Sequence, residues 1–319
     1  MDIFLAKLST FGNALPGDIT QGLIWGIMAI GVFITYKILD FADLTVDGTL
    51  GLGGVVAVVL ISNGVPVPVA MLIAFLAGCA AGLCTALLNT MLGIPGILAG
   101  ILTQLALYSV YLDINGKANA PVSVDKFPLV ISSRYVTAGN EVVDIIRTVG
   151  TALLFVVLII AALYWFFGTE LGCSLRATGC NPNMSRAQGI NTNFNIVLGL
   201  MISNGLVALA SALCSQYQGF ADINMGRGAI VIGLAAVIIG KVVFEKVFHN
   251  FALKLLSVVL GAVIYYAVLQ VVIWFGLDTD LLKLLSALVV ALFLALPYWK
   301  KKYIVKPVKR GGAQNVGSK

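Results

Sequence analysis

Long apolar tracts follow one another through most of this 319-residue chain. A helix needs about 20 mostly apolar residues to cross the hydrocarbon core of a bilayer. Irregular backbone in contact with lipid is excluded, because its peptide groups would lack hydrogen-bond partners. The tracts therefore predict an all-α polytopic membrane protein with about nine transmembrane helices, within a range of eight to ten. We place the spans at residues 17–38, 46–62, 66–92, 94–112, 142–167, 193–218, 229–247, 251–275 and 281–299.

The composition agrees with a chain that lies in a membrane. Hydrophobic residues make up 60% of the sequence and charged residues 11%, whereas about a quarter of the residues of a soluble domain are charged. The single histidine, His249, and the five cysteines show no zinc-binding spacing, so no metal site is predicted. Nucleic-acid binding is not predicted either, because the basic residues cluster at the predicted membrane edges.

The distribution of lysine and arginine gives the orientation of the single transmembrane domain, residues 1–319. The tail holds seven of the 20 basic residues and no acidic residue, which places it in the cytoplasm. Counting back through nine spans puts the N-terminus outside. The resulting parts are a first half (17–112), an extracytoplasmic loop (113–140), a second half (142–299) with a cytoplasmic loop (168–192), and a basic cytoplasmic tail (300–319). Residues 1–14 or part of the 113–140 loop are candidates for a further interfacial helix.

A short polar segment, RATGCNPNMSRAQGIN, interrupts the apolar tracts at residues 176–191. Asn181 is a good N-cap residue, and Pro182 suits the first helical position. Gly189 provides a left-handed exit after the helix. The pattern predicts a short cytoplasmic helix, which is marginal in water by itself. It is either a capped turn on the membrane surface or a helix that docks against a partner.

The sequence from Leu171 to Asn191 resembles the cytoplasmic loop of ABC-transporter permeases of the branched-chain amino acid and ribose type. Those permeases carry a pattern close to G-x-x-hydrophobic-R-A-x-G-x-N, followed by Gly-Ile. The residues that match it are Gly172, Leu175, Arg176, Ala177, Gly179, Asn181, Gly189 and Ile190. Two other segments, GLIWGIMAIGVFITYKILDFADLTVDG and GRGAIVIGLAAVIIGK, resemble the family's first hairpin and its late alanine-rich span. The family often has a second glycine where Lys241 stands here.

The resemblance implies that residues 176–190 form a coupling helix that engages a cytosolic ABC ATPase. The residues expected at this contact are Arg176, Asn181, Pro182, Ser185, Arg186 and Gly189. The resemblance further implies a second permease subunit, alike or different, and an extracytoplasmic substrate-binding protein. The assembly would lie in a bacterial plasma membrane, surrounded by lipid, and would import a small polar solute. An amino acid is the favoured solute, and a sugar or a nucleoside is the alternative.

The chain itself is not expected to hydrolyse ATP or to hold a cofactor. The stretch GLAAVIIGKVV lacks the glycine spacing of a phosphate-binding loop, and no Ser or Thr follows Lys241. ATP and Mg²⁺ would bind the separate ATPase subunit. An ion-coupled secondary transporter is the competing function, but the coupling segment and the lack of a buried ion pair in the sequence weigh against it. An intramembrane enzyme is disfavoured, because no HExxH or GxGD motif is present.

Polar residues inside the spans should face away from lipid, either to join helices or to line a path. Gln104 and Tyr108 are four residues apart and share one helix face. The predicted translocation path consists of Gln104, Tyr108, Asn204, Asp43 and Asp222.

Two similar stretches hint at an internal repeat. FADLTVDGTLGLGG begins at Phe41 and FADINMGRGAIVIG begins at Phe220. In the predicted topology they lie at opposite membrane sides, as in an inverted-topology repeat. We therefore predict that Asp43 and Asp222 occupy equivalent turns. The simpler alternative is that Asp43 or Asp47 caps the second span and that Asp222 pairs with Arg227. For Asp47 we expect the capping role.

Overall fold

The computed structural model describes residues 2–116, 118–123, 126–132, 142–245 and 247–274, with scattered positions between 284 and 295. Ten α-helices lie in this described part of the chain, and the first continues into a π-helical turn, Ile34–Ile38. They are α1 (Asp2–Phe33), α2 (Thr45–Ser62), α3 (Val67–Thr90), α4 (Gly96–Asn115), α5 (Val142–Gly168), α6 (Glu170–Cys180), α7 (Pro182–Ala187), α8 (Thr192–Gln218), α9 (Ala229–Phe244) and α10 (Phe251–Trp274).

Seven of these helices are long and apolar enough to cross a membrane: α1 from Leu15 onward, α2, α3, α4, α5, α8 and α10. Helix α9 is also apolar but has only 16 residues. These eight helices match the first eight predicted spans to within a few residues. The ninth predicted span, 281–299, lies largely outside the described residues, so the count of nine stays a prediction. Residues 2–14 continue α1 rather than forming a separate helix.

The interior of the bundle is built around α1, α2 and α8, which are mostly buried. Helix α8 packs against α1, α2 and α3, and α1 also contacts α9 and α10. By contrast, α3, α4, α5 and α10 each leave much of their apolar surface uncovered. Outer helices of this kind suit lipid or another membrane subunit, because neither requires polar side chains.

Close contact between α3 and α8 depends on glycine. A Cβ atom on Gly78 would overlap the Asn204 carbonyl oxygen and the Ala208 side chain. A Cβ atom on Gly82 would overlap the Leu200 carbonyl oxygen in the same way. Small residues let helix backbones approach one another within a membrane. Here they bring the middle of α3 against the middle of α8.

One end of the bundle carries α6 and α7. Gly179 of α6 lies against the Ile38 carbonyl of the π turn. The ring centroids of Phe167 and Phe251 are 4.9 Å apart. Since these contacts join the ends of α1, α5 and the start of α10, all of them lie at the same end. Among the described residues, the basic side chains at this end are Lys37, Arg176, Arg186, Lys241 and Lys254. Their position matches the side predicted to be cytoplasmic.

The opposite end carries a two-stranded antiparallel sheet that the sequence did not predict. Strand β1 (Asn119–Pro121) pairs with β2 (Phe220–Asp222), with Asn119 opposite Asp222. Strands of three residues are too short to produce an alternating pattern in the sequence. The pairing places the 113–140 loop beside the connection from α8 to α9.

Replacing Gly78 by Val should destabilise the fold by about 1–3 kcal/mol, because the side chain would force α3 away from α8. Gly150→Val is the matched control, since a Cβ atom on this α5 glycine has no neighbour within 4 Å. Thermal unfolding of both purified variants in detergent would measure the difference. Equal stability of the two variants would contradict the glycine-dependent contact.

Candidate functional site

Helix α7 has the caps that the sequence predicted. The Asn181 side-chain oxygen accepts from the Met184 N–H at 3.0 Å, and Pro182 occupies the first turn. After the helix, the Ile190 N–H donates to the Ser185 carbonyl at 3.0 Å, and Gly189 adopts φ 79°. The predicted short helix with defined ends is therefore confirmed.

Arg176 of α6 and Arg186 of α7 make different contacts. Arg186 is exposed, and its Nε donates to the Thr192 hydroxyl at 2.8 Å, which holds it at the junction with α8. Arg176 instead donates to the Phe167 carbonyl at 2.9 Å and lies 5.8 Å from the centre of the Phe251 ring. Arg176 therefore joins α6 to the ends of α5 and α10, while Arg186 remains beside the exposed surface of α7.

Helix α6 connects α7 to the interior of the bundle. The Asn195 amide donates to the Thr178 hydroxyl at 2.8 Å, and the Ser174 hydroxyl donates to the Asn195 carbonyl oxygen at 3.2 Å. Gly179 contacts the backbone at Ile38, only five residues before Asp43. A displacement of α6 and α7 would therefore act on α8 and on the connection between α1 and α2.

Asp43 and Asn204, two of the predicted path residues, meet in a buried polar network. Asp43 is only 2% exposed. Its two carboxylate oxygens accept separately, from the Thr45 N–H at 2.9 Å and from the Asn204 amide at 2.7 Å. The Thr49 hydroxyl donates to the Asn204 carbonyl oxygen at 2.7 Å. Both side chains are thus fully engaged between α2 and α8 and leave no open surface for a solute here.

The same network shows that α2 begins inside the bundle rather than at its surface. Asn204 lies near the middle of α8, and Thr45 at the start of α2 shares a 2.7 Å hydrogen bond with Thr85 of α3. The connection that precedes α2 includes Asp40 in the left-handed region, at φ 53°. Irregular backbone at this depth is tolerated when it is buried in protein or borders water.

Asp47, in the first turn of α2, caps a different helix from the one we predicted. Its carboxylate accepts from the Gly228 N–H at 3.0 Å and from the Ile230 N–H at 2.9 Å. Gly228 is the N-cap of α9 and has no side chain with which to cap it. The prediction that Asp47 caps the second span was wrong, because the uncapped and positively polarised end of α9 lies within reach of the carboxylate.

Two helices therefore begin at the same depth and run in opposite directions from it. Asp43 caps the start of α2, and Asp47 of α2 caps the start of α9. Gly226 fits closely against the Asp47 carbonyl, so the backbone before α9 is packed directly on the first turn of α2. Interrupted helices whose N-termini lie near the membrane midplane are a recurring element of solute-binding sites in transporters.

The two FAD segments share a local backbone pattern. Three residues before each aspartate the chain is left-handed, at Asp40 with φ 53° and at Gly219 with φ 80°. Each aspartate then accepts from the N–H two residues later, at 2.9 Å for Asp43 and 2.7 Å for Asp222. The shared geometry supports equivalent turns for Asp43 and Asp222, while the superposition of the two complete halves stays a prediction.

Gln104 and Tyr108 lie on a different surface from the buried network. Gln104 is half-buried against Gly48, and Tyr108 is 37% exposed. The Tyr108 ring packs edge-on against Tyr111 at 5.5 Å, and the Tyr111 hydroxyl donates to the Ile223 carbonyl at 3.2 Å. This face of α4 therefore borders the segment before α9. We call the surface formed by Gln104, Tyr108 and residues 223–228 the polar face.

Asp222 lies in β2, at the end of the bundle opposite α7, and is half-buried. Its predicted alternative partner, Arg227, forms no ion pair with it in the described part of the chain. Sequence reasoning missed Thr45, Thr49 and Thr85 as network members and did not single out Arg227 as a site residue. The only signal for Thr45 and Thr49 was a polar TVDGT stretch at the start of an otherwise apolar span.

Comparison with known proteins gives the family. A family model described as "Branched-chain amino acid transport system / permease component" matches residues 17–295. The chain belongs to this permease family. The permease is therefore a transport protein of the ABC importer type and not a catalytic enzyme, and membership decides against the ion-coupled alternative. Its apolar spans agree with a multi-pass protein of the bacterial plasma membrane.

Two relatives and one solved structure illustrate the match. The permease is 40% identical over 86% of its length to a tyrosine transport system permease protein from Clostridioides difficile (strain R20291), covering 88% of that protein. It is 30% identical to the autoinducer 2 import system permease protein LsrC from Enterobacter sp. (strain 638), over 76% of this chain and 71% of that one. The structure of PsaBC from Streptococcus pneumoniae in complex with Fab has a similar fold, with a TM-score of 0.51, 16% identity and coverage of 92% and 93%.

Asp43→Asn should destabilise the permease by about 1–3 kcal/mol, because an amide would present a donor to Thr45 or to Asn204 where both oxygens now accept. Asn204→Asp should do the same by placing two carboxylates in contact. The double variant should recover part of the loss, since the new amide at position 43 can donate to the new carboxylate at position 204 and still accept from Thr45. Thermal unfolding in detergent would compare the three variants.

Asp222→Asn is the control for this swap, because Asp222 has one such hydrogen bond and is more exposed. It should change stability by less than about 0.5 kcal/mol. If the double variant lost as much unfolding free energy as the two single variants lose together, the direct coupling between Asp43 and Asn204 would be contradicted.

Proposed function

We propose that this permease imports an amino acid and is driven by a cytosolic ABC ATPase that docks on α7. The observation that favours an amino acid is the 40% identity to a tyrosine transport permease over most of both chains. The autoinducer 2 permease is less similar, at 30%. A sugar or a nucleoside is the second candidate for the solute.

Two properties of α7 support its role as the docking element. It is a separate helix of six residues with caps at both ends, so its shape is defined before any partner binds. Met184, at 62% exposure, and the exposed Arg186 form its outer surface. An apolar side chain beside a cation suits a contact with a pocket that has an acidic rim. ATP and Mg²⁺ would be held by the partner, which would carry out the hydrolysis.

The polar face supports a path for the solute along α4 and the segment before α9. In a membrane-embedded protein, exposed polar side chains and irregular backbone at mid-depth mark a wet surface rather than one that meets lipid. A second permease subunit would close this face into a path, and an extracytoplasmic binding protein would deliver the solute to it.

The amino-acid assignment can be tested with the complete transporter in proteoliposomes that contain its ATPase and its binding protein. We expect ATP-dependent accumulation of L-tyrosine. Other amino acids should inhibit this accumulation more strongly than galactose or adenosine does. Accumulation that galactose or adenosine suppresses and tyrosine does not would transfer the assignment to the second candidate.

Arg186→Glu should weaken ATPase association and uncouple transport, because the reversed charge would repel the acidic surface proposed on the partner. We expect a loss of at least about tenfold in affinity, which corresponds to about 1.4 kcal/mol. Lys254→Glu makes the same charge change on an exposed residue of α10 and should leave association unchanged. Co-purification and uptake would be measured for both. Normal ATPase content and uptake in Arg186→Glu would contradict the docking role.

A further inference from the structure

Arg227 occupies an unusual position for a charged side chain in this protein. It immediately precedes Gly228, whose N–H lies 3.0 Å from the Asp47 carboxylate. That turn of α2 is level with the middles of two membrane-spanning helices, since Gly48 contacts Gln104 of α4 and Thr49 bonds Asn204 of α8. Arg227 is therefore attached near mid-depth.

The Arg227 side chain is exposed there, and Asn224 and Gly228 beside it are exposed as well. Among the residues that the structure describes, its guanidinium has neither a hydrogen bond nor an ion pair. The nearby Asp47 carboxylate forms no ion pair with the guanidinium, and its two oxygens accept instead from the start of α9.

Packing does not account for an arginine at this position. The side chain is exposed on the turn that precedes α9, so it fills no space between packed helices. An unpaired charge at membrane depth is expensive in lipid, so such residues usually serve an ion or a substrate.

We propose that Arg227 is a binding residue for the carboxylate of the transported solute, on the wall of the path formed by the polar face. The planar guanidinium matches a carboxylate with two parallel hydrogen bonds. The Asp47 carboxylate already occupies the start of α9, so Arg227 itself provides the positive charge of the site. Gln104 and Tyr108 of the same face provide neutral polar contacts. The inference rests on the proposed amino-acid import, because a neutral sugar would give Arg227 no counter-charge.

The electrostatic part of the proposal can be tested without knowing the solute. Asn224→Cys places a thiol three residues before Arg227, on the same exposed segment. The variant is studied as the assembled transporter in membrane vesicles. An anionic and a cationic methanethiosulfonate reagent are then compared, with mass spectrometry assigning the adduct to residue 224. We expect faster reaction with the anionic reagent. Adding Arg227→Gln should lower the anionic-to-cationic rate ratio by at least about tenfold, and Arg227→Lys should preserve most of it.

Lys241→Gln is the matched control, because it removes one positive charge from the exposed far end of α9. It should leave the rate ratio unchanged. Failure of both reagents to reach residue 224 would overturn the proposal, since the face would then be covered by lipid or by another subunit. A ratio that Arg227→Gln does not change would overturn it as well.

The solute-binding part is tested by uptake of L-tyrosine in proteoliposomes of the complete transporter. Arg227→Gln should reduce uptake at least about tenfold while leaving ATP hydrolysis stimulated by the binding protein, and Arg227→Lys should restore part of the uptake. Unchanged uptake in Arg227→Gln would refute solute binding even if the rate ratio falls. If the wild-type transporter carries no amino acid but the rate ratio still depends on Arg227, the proposed solute fails and the anion-attracting site stands.

Discussion

The structure depends on how two helices that begin inside an apolar bundle have their first N–H groups satisfied. The first turn of any helix leaves N–H donors without intrahelical partners, and hydrocarbon offers no substitute for water. The protein provides two carboxylates for this purpose. Asp43 accepts at the start of α2, and Asp47 accepts at the start of α9. Each carboxylate thus satisfies N–H donors of the helix start that lies beside it.

This arrangement links the two halves of the permease in a defined order. Asp47 belongs to α2 but is bonded to α9, and Asn204 belongs to α8 but is bonded to Asp43. The backbone just before Asp43 is in turn packed on α6 through Gly179 and Ile38. A movement at α7 would therefore reach the start of α2 through packed backbone and short hydrogen bonds. Contiguous contact of this kind is a physical route for coupling.

The extent to which the sequence predicted this structure varies with the range of the interaction. Apolar length alone located eight spans, because the cost of exposing polar backbone to lipid leaves few alternatives. The caps of α7 were also predictable, since Asn181, Pro182 and Gly189 act within a few residues of one another. The target of the Asp47 carboxylate could not be predicted, because Gly228 and Ile230 lie about 180 residues away along the chain. Only the fold brings that donor pair to the carboxylate.

The difference between the two FAD segments is the strongest indication of where function lies. Similar backbone turns hold Asp43 in a closed network and Asp222 in a half-buried position at the opposite end of the bundle. Likewise, Gly48 serves close packing, whereas Arg227 extends into an exposed region. The two segments diverge after these turns, because α2 begins two residues after Asp43 whereas α9 begins seven residues after Asp222. The second segment departs from the first by gaining charge and exposure, which are properties that a solute path can use and a packed core cannot.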